Sequence, residues 1–350
     1  MHHIFIDGLG GMALGLFATL IIGVIIQQIG TLIGGEIGRI IFEMGKIAAA
    51  LTSAGIGVGV AYKFKESPLV VFSAATAAMA GGFANAILGG TIFVDGALVL
   101  SGPGEPLGAF IAALVGISVG HLIAGKTKLD IILTPLVTIS AGTIAGLLVG
   151  APISRLLTSL GGIINWSTTQ QPLLMGIVVS VVMGMVLTAP ISSAALGIIL
   201  NLSGLAAGAA TIGCCCNMVG FAVASYRENK LGGLLAQGLG TSMLQVPNIV
   251  RNPLIWIPPI LSSALLAPLA TLVLNMESNA TGAGMGSAGL VGQIMTYQTM
   301  IETSTPAIVL TKIVFMHFVL PAVITLLISE FMRKKKWIKT GDMQLNLISK

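Results

Sequence analysis

Residues 8–33 read GLGGMALGLFATLIIGVIIQQIGTLI, an apolar run without a single charged side chain. About 20 consecutive apolar residues suffice for a helix to cross the hydrocarbon core of a bilayer. Similar runs recur along the chain, and they are continuous rather than alternating between apolar and polar residues. This pattern predicts an all-α polytopic membrane protein, and it argues against a transmembrane β-barrel, whose strands alternate.

The composition excludes two other classes of protein. Of the 350 residues, 55% are hydrophobic and 8% are charged. Soluble domains carry about 25% charged residues, so a soluble globular enzyme is excluded. A disordered chain is excluded as well, because it would have low hydrophobicity. At roughly 25 to 30 residues for each span with its loop, the length accommodates about ten transmembrane helices.

Two apolar segments are less regular than the others. Residues 191–205 are interrupted by Asn201 and Gly204, and residues 231–252 have the mixed composition of an interfacial or re-entrant segment. The count of ten requires the first segment to cross, and it changes if both segments are re-entrant. The predicted spans lie at about 8–33, 47–62, 69–94, 107–125, 131–150, 172–189, 191–205, 206–226, 254–274 and 306–331.

The basic residues determine the predicted orientation. The positive-inside rule places the basic C-terminal tail in the cytoplasm. Successive loops lie on alternate sides of the membrane, and counting back from the tail through ten spans leaves Arg39, Lys46 and Arg155 outside and Lys312 within a span. The other 13 of the 17 basic residues are then cytoplasmic. Both termini are therefore predicted to be cytoplasmic. The net charge of +5 fits the anionic inner face of a membrane, and no nucleic-acid partner is expected.

Ten spans with both ends inside divide into five plus five, which inverts the second half relative to the first. Many carriers have this architecture, with broken or re-entrant helices around a solute near the bilayer midplane. We therefore expect one membrane-embedded transport domain over residues 1–332, with possible halves at 1–150 and 151–332, and a basic cytoplasmic tail at 333–350. The repeat is inferred from topology alone.

Polar side chains at the helix breaks are candidates for solute binding, because polar groups are costly in hydrocarbon. Asn85, Asp95 and Glu105 flank a glycine- and proline-rich break after the third span, which could instead be an ordinary external loop. Asn217 follows a run of small residues, which could instead serve close helix packing. These four residues are predicted to contact the solute.

The second half contains two further breaks. Gln245 and Asn248 lie in a proline-broken segment whose other interpretation is an interfacial loop. Asn279 and Gln293 bound a glycine-rich stretch whose amides could cradle an anion or a sugar, although it lacks the ending of a phosphate-binding loop. All four are added to the predicted solute-binding residues.

One wet cavity is the least costly way to satisfy the groups that several helix breaks expose. Asn85, Asp95, Gln245 and Asn248 are therefore expected in one pocket near the midplane. A sugar or similar polyol could replace the water in such a pocket, with amides and carboxylates bonding its hydroxyl groups.

One charge lies inside the last predicted span. Lys312 is expected to face the protein interior, near a carboxylate such as Asp95 or Glu302 or near freed backbone carbonyls. None of the four histidines has metal-ligand spacing, and the adjacent residues 214–216, all cysteine, cannot converge on one metal ion. No metal, cofactor or catalytic residue is predicted.

Several motifs together resemble the PfoR-like group, which is classed as a membrane-embedded EIIC-type component of the bacterial phosphotransferase system. The resemblance covers about residues 8–330. The motifs are VDGAL (94–98), GPGEPL (102–107), GKTKLD (125–130), TAPISSAA (188–195), SYRENK (225–230) and QVPNIVRNP (245–253).

The resemblance implies a sugar permease of the bacterial plasma membrane, which binds sugar within the bilayer and often forms homodimers. A separate EIIB protein would then phosphorylate the sugar. The group's name also carries a regulatory association, so a membrane sensor acting through a cytoplasmic partner stays open. A secondary transporter without coupled phosphorylation is the other alternative.

Overall fold

The computed structural model describes residues 2–100 and 102–345, with the backbone alone for residues 2–5. The chain divides into two compact units, Met1–Leu157 and Thr158–Lys350. Helices dominate both units, and residues 346–350 of the predicted basic tail lie outside the described residues.

Within the residues that the structure describes, the first unit contains eight helices and one small hairpin. A π-helical turn at Phe17–Ile21 joins the first two helices, and the hairpin strands are β1 (Phe93–Val94) and β2 (Ala97–Leu98). The last helix continues past the boundary of the unit. The helices are α1 (His2–Leu16), α2 (Ile22–Ile33), α3 (Gly35–Ala50), α4 (Thr52–Lys63), α5 (Pro68–Gly82), α6 (Ala84–Leu88), α7 (Pro106–His121) and α8 (Asp130–Thr168).

Glycine brings the antiparallel helices of the first unit into close contact. A methyl group on Gly11 or Gly15 of α1 would overlap the backbone of Gly59 or Gly55 of α4. Small residues allow this approach, which replaces side-chain packing by backbone packing between apolar helices. Gly81 and Gly108 bring α5 and α7 together in the same way.

Contacts at the helix ends give the first unit two distinguishable ends. At one end, His121 Nδ1 lies 3.0 Å from Glu66 Oε1, which joins the end of α7 to the loop before α5. At the other end, Ser53 of α4 donates a 2.9 Å hydrogen bond to the carbonyl of Pro103. The bundle of α1, α4, α5 and α7 extends between these two levels.

Among its described residues, the second unit contains the end of α8 and ten further helices, which are interrupted by π-helical and 3₁₀ turns. The π-helical turns are Ala236–Gly240, Leu269–Val273 and Val314–Val319. The helices are α9 (Pro172–Thr188), α10 (Ser193–Ile199), α11 (Gly204–Ala224), α12 (Tyr226–Leu235), α13 (Val246–Arg251), α14 (Ile257–Pro268), α15 (Ala280–Ala283), α16 (Val291–Met300), α17 (Pro306–Ile313) and α18 (Leu320–Lys334).

Helix α11 is the centre of the second unit, and nearly all of its residues are buried. Its run of glycine, alanine and cysteine lets α9, α14 and α18 approach on different sides, because small side chains keep the backbones close. Gly213 packs on the backbone of Ser180 in α9, and Gly220 packs on Thr325 in α18.

Five helical segments of the described chain are long and apolar enough to cross a membrane, which confirms a multi-pass α-helical membrane protein. A sixth is the pair α3 and α4 if it counts as one span, although it bends by 53°. Three shorter helices, α5, α7 and α9, are also apolar. The five segments are Ile6–Ile33, Asp130–Thr168, Gly204–Ala224, Pro253–Val273 and Pro306–Lys334.

Several predicted spans differ from the structure. The third, expected at 69–94, is divided into α5, α6 and strand β1. The fifth span was expected to end at Gly150, but α8 continues through Pro152 to Thr168. Proline is tolerated there because neighbouring groups in membrane helices satisfy the carbonyl that it frees. Residues 191–205 were expected to cross, but α10 has only seven residues and α11 begins at Gly204, so no single helix crosses there.

Candidate functional site

Two broken segments of the second unit run alongside α11 and turn back. The first inserted segment, residues 226–252, starts at the C-terminal end of α11 and contains the π-helical turn Ala236–Gly240. Near its innermost part, Ser242 Oγ lies 2.7 Å from Thr188 Oγ1 at the end of α9. The segment then returns through α13, whose Ile249 packs with Phe221 and Ala224.

The second inserted segment, residues 275–304, starts at the opposite end of α11. The backbone amide of Ser278 donates a 3.2 Å hydrogen bond to the carbonyl of Gly204, the first residue of that helix. The segment then reaches the middle of α11, where Gly286 packs against Cys214, and returns through α16. It therefore enters the unit from the end opposite to the first inserted segment.

The two inserted segments meet beside the middle of α11. Ser287 Oγ donates a 2.6 Å hydrogen bond to the carbonyl of Gly238, which belongs to the π-helical turn. Both tips have irregular backbone, and such breaks leave amides and carbonyls that a helix would have paired. This junction is the candidate functional site.

Asn217 lies at this level of α11 and uses its whole amide group. Its oxygen accepts hydrogen bonds from Thr188 Oγ1 at 3.1 Å and from Trp256 Nε1 at 3.0 Å. Its nitrogen donates to the Gly213 carbonyl at 3.1 Å and to Ser263 Oγ at 3.5 Å. The predicted residue is therefore the hub of a buried polar network.

Gln293 forms a second buried group on the other side of α11. Its nitrogen lies 3.1 Å from His317 Nδ1 and 3.4 Å from Cys215 Sγ. Its Oε1 atom is buried and has no hydrogen-bond partner among the described residues. His317 belongs to the π-helical turn Val314–Val319, a distortion that is frequent at functional sites.

Gln245 and Asn248 are brought together, but both also bond to the C-terminal segment, by which we mean residues 337–345. Gln245 Nε2 donates to the Met343 carbonyl at 3.0 Å, and Asn248 Nδ2 donates to the Gln344 carbonyl at 2.9 Å. Asn248 also donates to Gln245 Oε1, and Gln245 donates to Gln237 Oε1, both at 2.8 Å. We call these three residues, Gln237, Gln245 and Asn248, the amide row.

Two other predicted residues hold local backbone. Asn279 caps α15, because its Oδ1 accepts a 3.1 Å hydrogen bond from the amide of Gly282. Lys312 Nζ donates a 2.6 Å hydrogen bond to the carbonyl of Leu274, which follows the π-helical turn Leu269–Val273. The ammonium group is therefore bonded to a backbone oxygen rather than to a carboxylate.

The remaining predicted residues belong to the first unit. Asp95 is exposed, and with Gly96 it forms the two-residue turn between β1 and β2. Both residues have positive φ, 50° and 78°, as the Asp-Gly turn of a tight hairpin requires. Asn85 is exposed on α6. Glu105 precedes α7, and its amide donates to the Gly82 carbonyl at 2.7 Å.

The expected pocket of four residues therefore involves two different settings. Asn85 and Asp95 are exposed residues of the first unit, whereas Gln245 and Asn248 are buried in the second unit. Among the described residues, no group of three or more His, Cys, Asp and Glu side chains is arranged to hold a metal ion.

Sequence reasoning missed the partners of the predicted amides. Thr188, Ser242, Trp256, Ser287 and His317 complete the two networks. A hydroxyl group in an apolar helix gives little signal, because it can bond to its own backbone. Only His317 carried a usable signal, as an ionisable residue within a predicted span.

These features define a multi-pass helical membrane protein whose two inserted segments meet at a buried polar junction. The family model described as "Phosphotransferase system, EIIC" matches residues 6–345. The chain belongs to this family, which confirms the expected resemblance, and it is a permease component of the phosphotransferase system. No curated protein matches the chain.

Proposed function

We propose that this permease component binds a sugar or a similar polyol at the junction of the two inserted segments and presents it to a separate EIIB protein for phosphorylation. The side chains of the two networks are amides, hydroxyl groups, an indole, an imidazole and a thiol, so none carries a fixed charge. Neutral donors and acceptors of this kind suit the hydroxyl groups of a neutral sugar.

The observation that carries this proposal is the hydrogen bond between Ser287 and the carbonyl of Gly238. It joins two broken segments that enter from opposite ends, and carriers bind their solutes at such breaks. A solute that separated the tips would gain the Gly238 carbonyl and the Ser287 hydroxyl as partners. The bonded junction would then be the closed state of the path.

Asn217 supports the same interpretation. Because protein partners occupy both atoms of its amide, a sugar would reach it only after Thr188 or Trp256 moves away. Replacing those hydrogen bonds by bonds to sugar hydroxyl groups keeps the number of hydrogen bonds unchanged, so opening is inexpensive only when a polar solute is present.

The proposal includes ten crossings of the bilayer, five in each half of the chain, and this odd number inverts the second half relative to the first. In the first unit, the α1–α2 arm, the α3–α4 arm, α5, α7 and α8 traverse in turn. In the second unit, α9 and α11 run parallel, since Ser180 contacts Gly213 and Thr188 contacts Asn217. The chain between them must therefore run back, as a traverse broken around α10.

The proposed orientation places both termini in the cytoplasm. In the first unit, Gly8 packs on Phe64, so the start of α1 lies at the same end as Lys63 and Lys65. Positive charge near the ends of spans favours the cytoplasmic side. One such end therefore contains the N-terminal part of α1 and the basic loop that follows α4.

A basic surface of the second unit supports an acidic or phosphorylated partner. A cavity of about 370 Å³ is lined by Arg227, Arg333, Lys336, Ile338, Lys339 and Thr340. Two of the cations pair with glutamates, Arg227 with Glu330 and Arg333 with Glu228. The two lysines keep this surface positive, as an EIIB protein carrying a phosphoryl group would require.

The docked C-terminal segment favours a second candidate function, a membrane sensor. Solute binding that released this segment from the amide row would present it to a cytoplasmic partner. A secondary transporter is the third possibility, because the junction itself does not specify an energy source. Homodimer formation is proposed for each of these cases.

Calorimetry on the purified protein with a panel of sugars tests the site. We expect Ser242→Ala and Ser287→Ala to weaken sugar binding about tenfold, since each removes a hydrogen-bonding group worth about 1 kcal/mol or slightly more. Ser118→Ala, which removes an exposed hydroxyl group on α7, is the matched control. Unchanged affinity in both site variants would reject the junction as the sugar site.

Uptake into membrane vesicles tests the coupling. Vesicles that contain the soluble phosphotransferase proteins should accumulate sugar phosphate only when phosphoenolpyruvate is inside. Accumulation of free sugar driven by a proton gradient would indicate the secondary transporter. Binding without any uptake would indicate the sensor.

A further inference from the structure

The helices α2 and α3 form a hairpin that is distinct from the rest of the first unit, and we call residues 22–50 the outer hairpin. Its tip is Gly34 and Gly35, which both have positive φ, 66° and 63°. Its arms meet through glycine, since a methyl group on Gly23 or Gly30 would overlap the backbone of α3. The arms therefore pack mainly on each other.

Helix α3 presents three different stripes of side chains. The contact stripe (Gly38, Phe42, Gly45 and Ala49) faces α2. The charged stripe is Glu36, Arg39, Glu43 and Lys46, and the apolar stripe is Ile37, Ile40, Met44, Ile47 and Leu51. The apolar stripe is strongly exposed, at 69% for Ile37 and 63% for Ile47. The charged stripe is exposed as well, since the side chains of Arg39 and Glu36 are 64% and 82% exposed.

The stripes combine into two faces of the whole hairpin. At about 100° per residue, the charged stripe lies about 110° from the contact stripe in one direction and the apolar stripe about 150° in the other. Helix α2 has the same arrangement around its own contact stripe. Its polar residues lie in the first direction and its apolar residues in the second, namely Gln28 and Thr31, and Ile22, Ile29 and Ile33. Because the two helices are antiparallel and face each other, stripes of the same kind fall on the same side.

The outer hairpin leaves the bundle at an angle. Helix α3 is bent by 53° from α4 at Leu51, and the π-helical turn Phe17–Ile21 lies across from this bend, with Thr19 beside Gly55. The bend occurs next to Ser53, where the bundle of α1, α4, α5 and α7 ends. The hairpin therefore begins where the shorter helices α5 and α7 stop.

The lengths and charges are unsuited to two straight spans. The first arm, Ile6–Ile33, has 28 residues and is about 42 Å long at 1.5 Å per residue, against a hydrocarbon core of about 30 Å. If α3 and α4 instead formed one straight span, part of the charged stripe of α3 would lie in hydrocarbon, where charged side chains are costly. A hairpin that lies along the membrane surface avoids both problems.

We propose that the outer hairpin lies in the interfacial layer of the bilayer, with its apolar face among the acyl chains and its charged stripe in water. Its partner is thus the lipid surface. The charged stripe contains two acidic and two basic residues, so burial of the apolar stripe rather than attraction to anionic lipid holds it there. The placement also explains Arg39 and Lys46 on the side of the membrane that disfavours positive charge.

Spin labelling in lipid vesicles tests this placement. Single cysteines are introduced at Ile37, Ile40, Met44 and Ile47, and at Glu43 for the charged stripe. Collision with oxygen reports lipid depth, and collision with a water-soluble nickel chelate reports exposure to water. Labelling is confined to the introduced sites because the native cysteines, residues 214–216, are fully buried.

The four apolar positions should have one common depth, about 5 to 10 Å below the headgroups, and the label at Glu43 should collide with the nickel chelate. A spanning arm would instead change depth by about 15 Å between Ile37 and Ile47, which would overturn the proposal. Val58, a residue of α4 that is exposed on the outside of the bundle, is the reference for a position between the two ends of the bundle.

Two further measurements distinguish the lipid surface from other partners of the hairpin. Vesicles of phosphatidylcholine alone and vesicles with phosphatidylglycerol should give the same depth, and a strong dependence on anionic lipid would contradict apolar burial as the cause. Dipolar broadening between labels at Met44 would show that the apolar face contacts a second copy of the chain, which would also overturn the proposal.

Discussion

Asn229 is the residue whose replacement should release the C-terminal segment most directly. Its Nδ2 donates a 2.8 Å hydrogen bond to the Met343 carbonyl, and its Oδ1 accepts a 2.8 Å hydrogen bond from the amide of Leu345. One side chain thus pairs with two backbone groups of the segment. Asn229→Ala removes both hydrogen bonds and leaves the Met343 carbonyl with Gln245 as its remaining partner.

The size of the effect follows from these two hydrogen bonds. A net contribution of about 0.5 to 1.5 kcal/mol for each gives about 1 to 3 kcal/mol in total. Since about 1.4 kcal/mol corresponds to a factor of ten, the undocked population of the segment should rise about 5- to 150-fold. The amide row keeps its own bonds, so the rest of the second unit should stay folded.

Amide hydrogen exchange measures this population. Peptides that cover residues 337–345 should exchange faster by the same factor in Asn229→Ala, with the largest change at Leu345. Asn165→Ala is the matched control, because Asn165 is an exposed asparagine of α8. Equal exchange in the variant and the wild type would show that the Asn229 side chain does not hold the segment.

The remaining predictions concern packing, charge and orientation. Gly213→Ala should lower stability by about 1 to 3 kcal/mol in thermal unfolding, because the methyl group overlaps the Ser180 backbone, whereas Gly162→Ala has open space and should not. Lys312→Met should leave the monodisperse yield in size-exclusion chromatography near the wild-type level, whereas Lys312→Glu should lower it, since a carboxylate repels the Leu274 carbonyl. A membrane-impermeant thiol reagent should label Arg155→Cys from outside the cell but not Lys230→Cys, and the reverse pattern would refute the proposed orientation.

The fold class could be predicted from the sequence because the bilayer leaves few options. An apolar run of sufficient length must be helical, since only a helix or a closed barrel satisfies the backbone in hydrocarbon, and a barrel strand would alternate between apolar and polar residues. The breaks could be predicted where proline, glycine and asparagine interrupt such runs, as at residues 245–253. The π-helical turns could not, because they depend on tertiary packing rather than on local composition.

The candidate site could be predicted only in part. Asn217 was recognisable because an amide within an apolar helix needs partners. Its partners Thr188 and Trp256 are 29 and 39 residues away, so no local pattern indicates them. Asp95 is the opposite case, since its carboxylate marked it as a candidate binding residue, whereas its positive φ gives a local reason for an aspartate at this turn.

The amide row gives the docked segment a route to the junction of the two inserted segments. The Met343 carbonyl bonds Gln245, Gln245 bonds Gln237, and the next residue, Gly238, accepts the hydrogen bond from Ser287. Physical contiguity alone does not establish coupling, which is a free energy between two perturbations.

A double-mutant cycle between Asn229→Ala and Ser287→Ala measures this coupling. The segment and the junction are coupled if the two changes together alter segment exchange by a factor different from the product of the single effects, and perturbations in one hydrogen-bond network show coupling of about 0.5 to 3 kcal/mol. We expect coupling, because release of Gln245 frees Gln237 to shift the π-helical turn that carries Gly238. A coupling below about 0.3 kcal/mol would make the two regions independent within the usual limit of additivity, and the docked segment would then be a stabilising contact without influence on the junction.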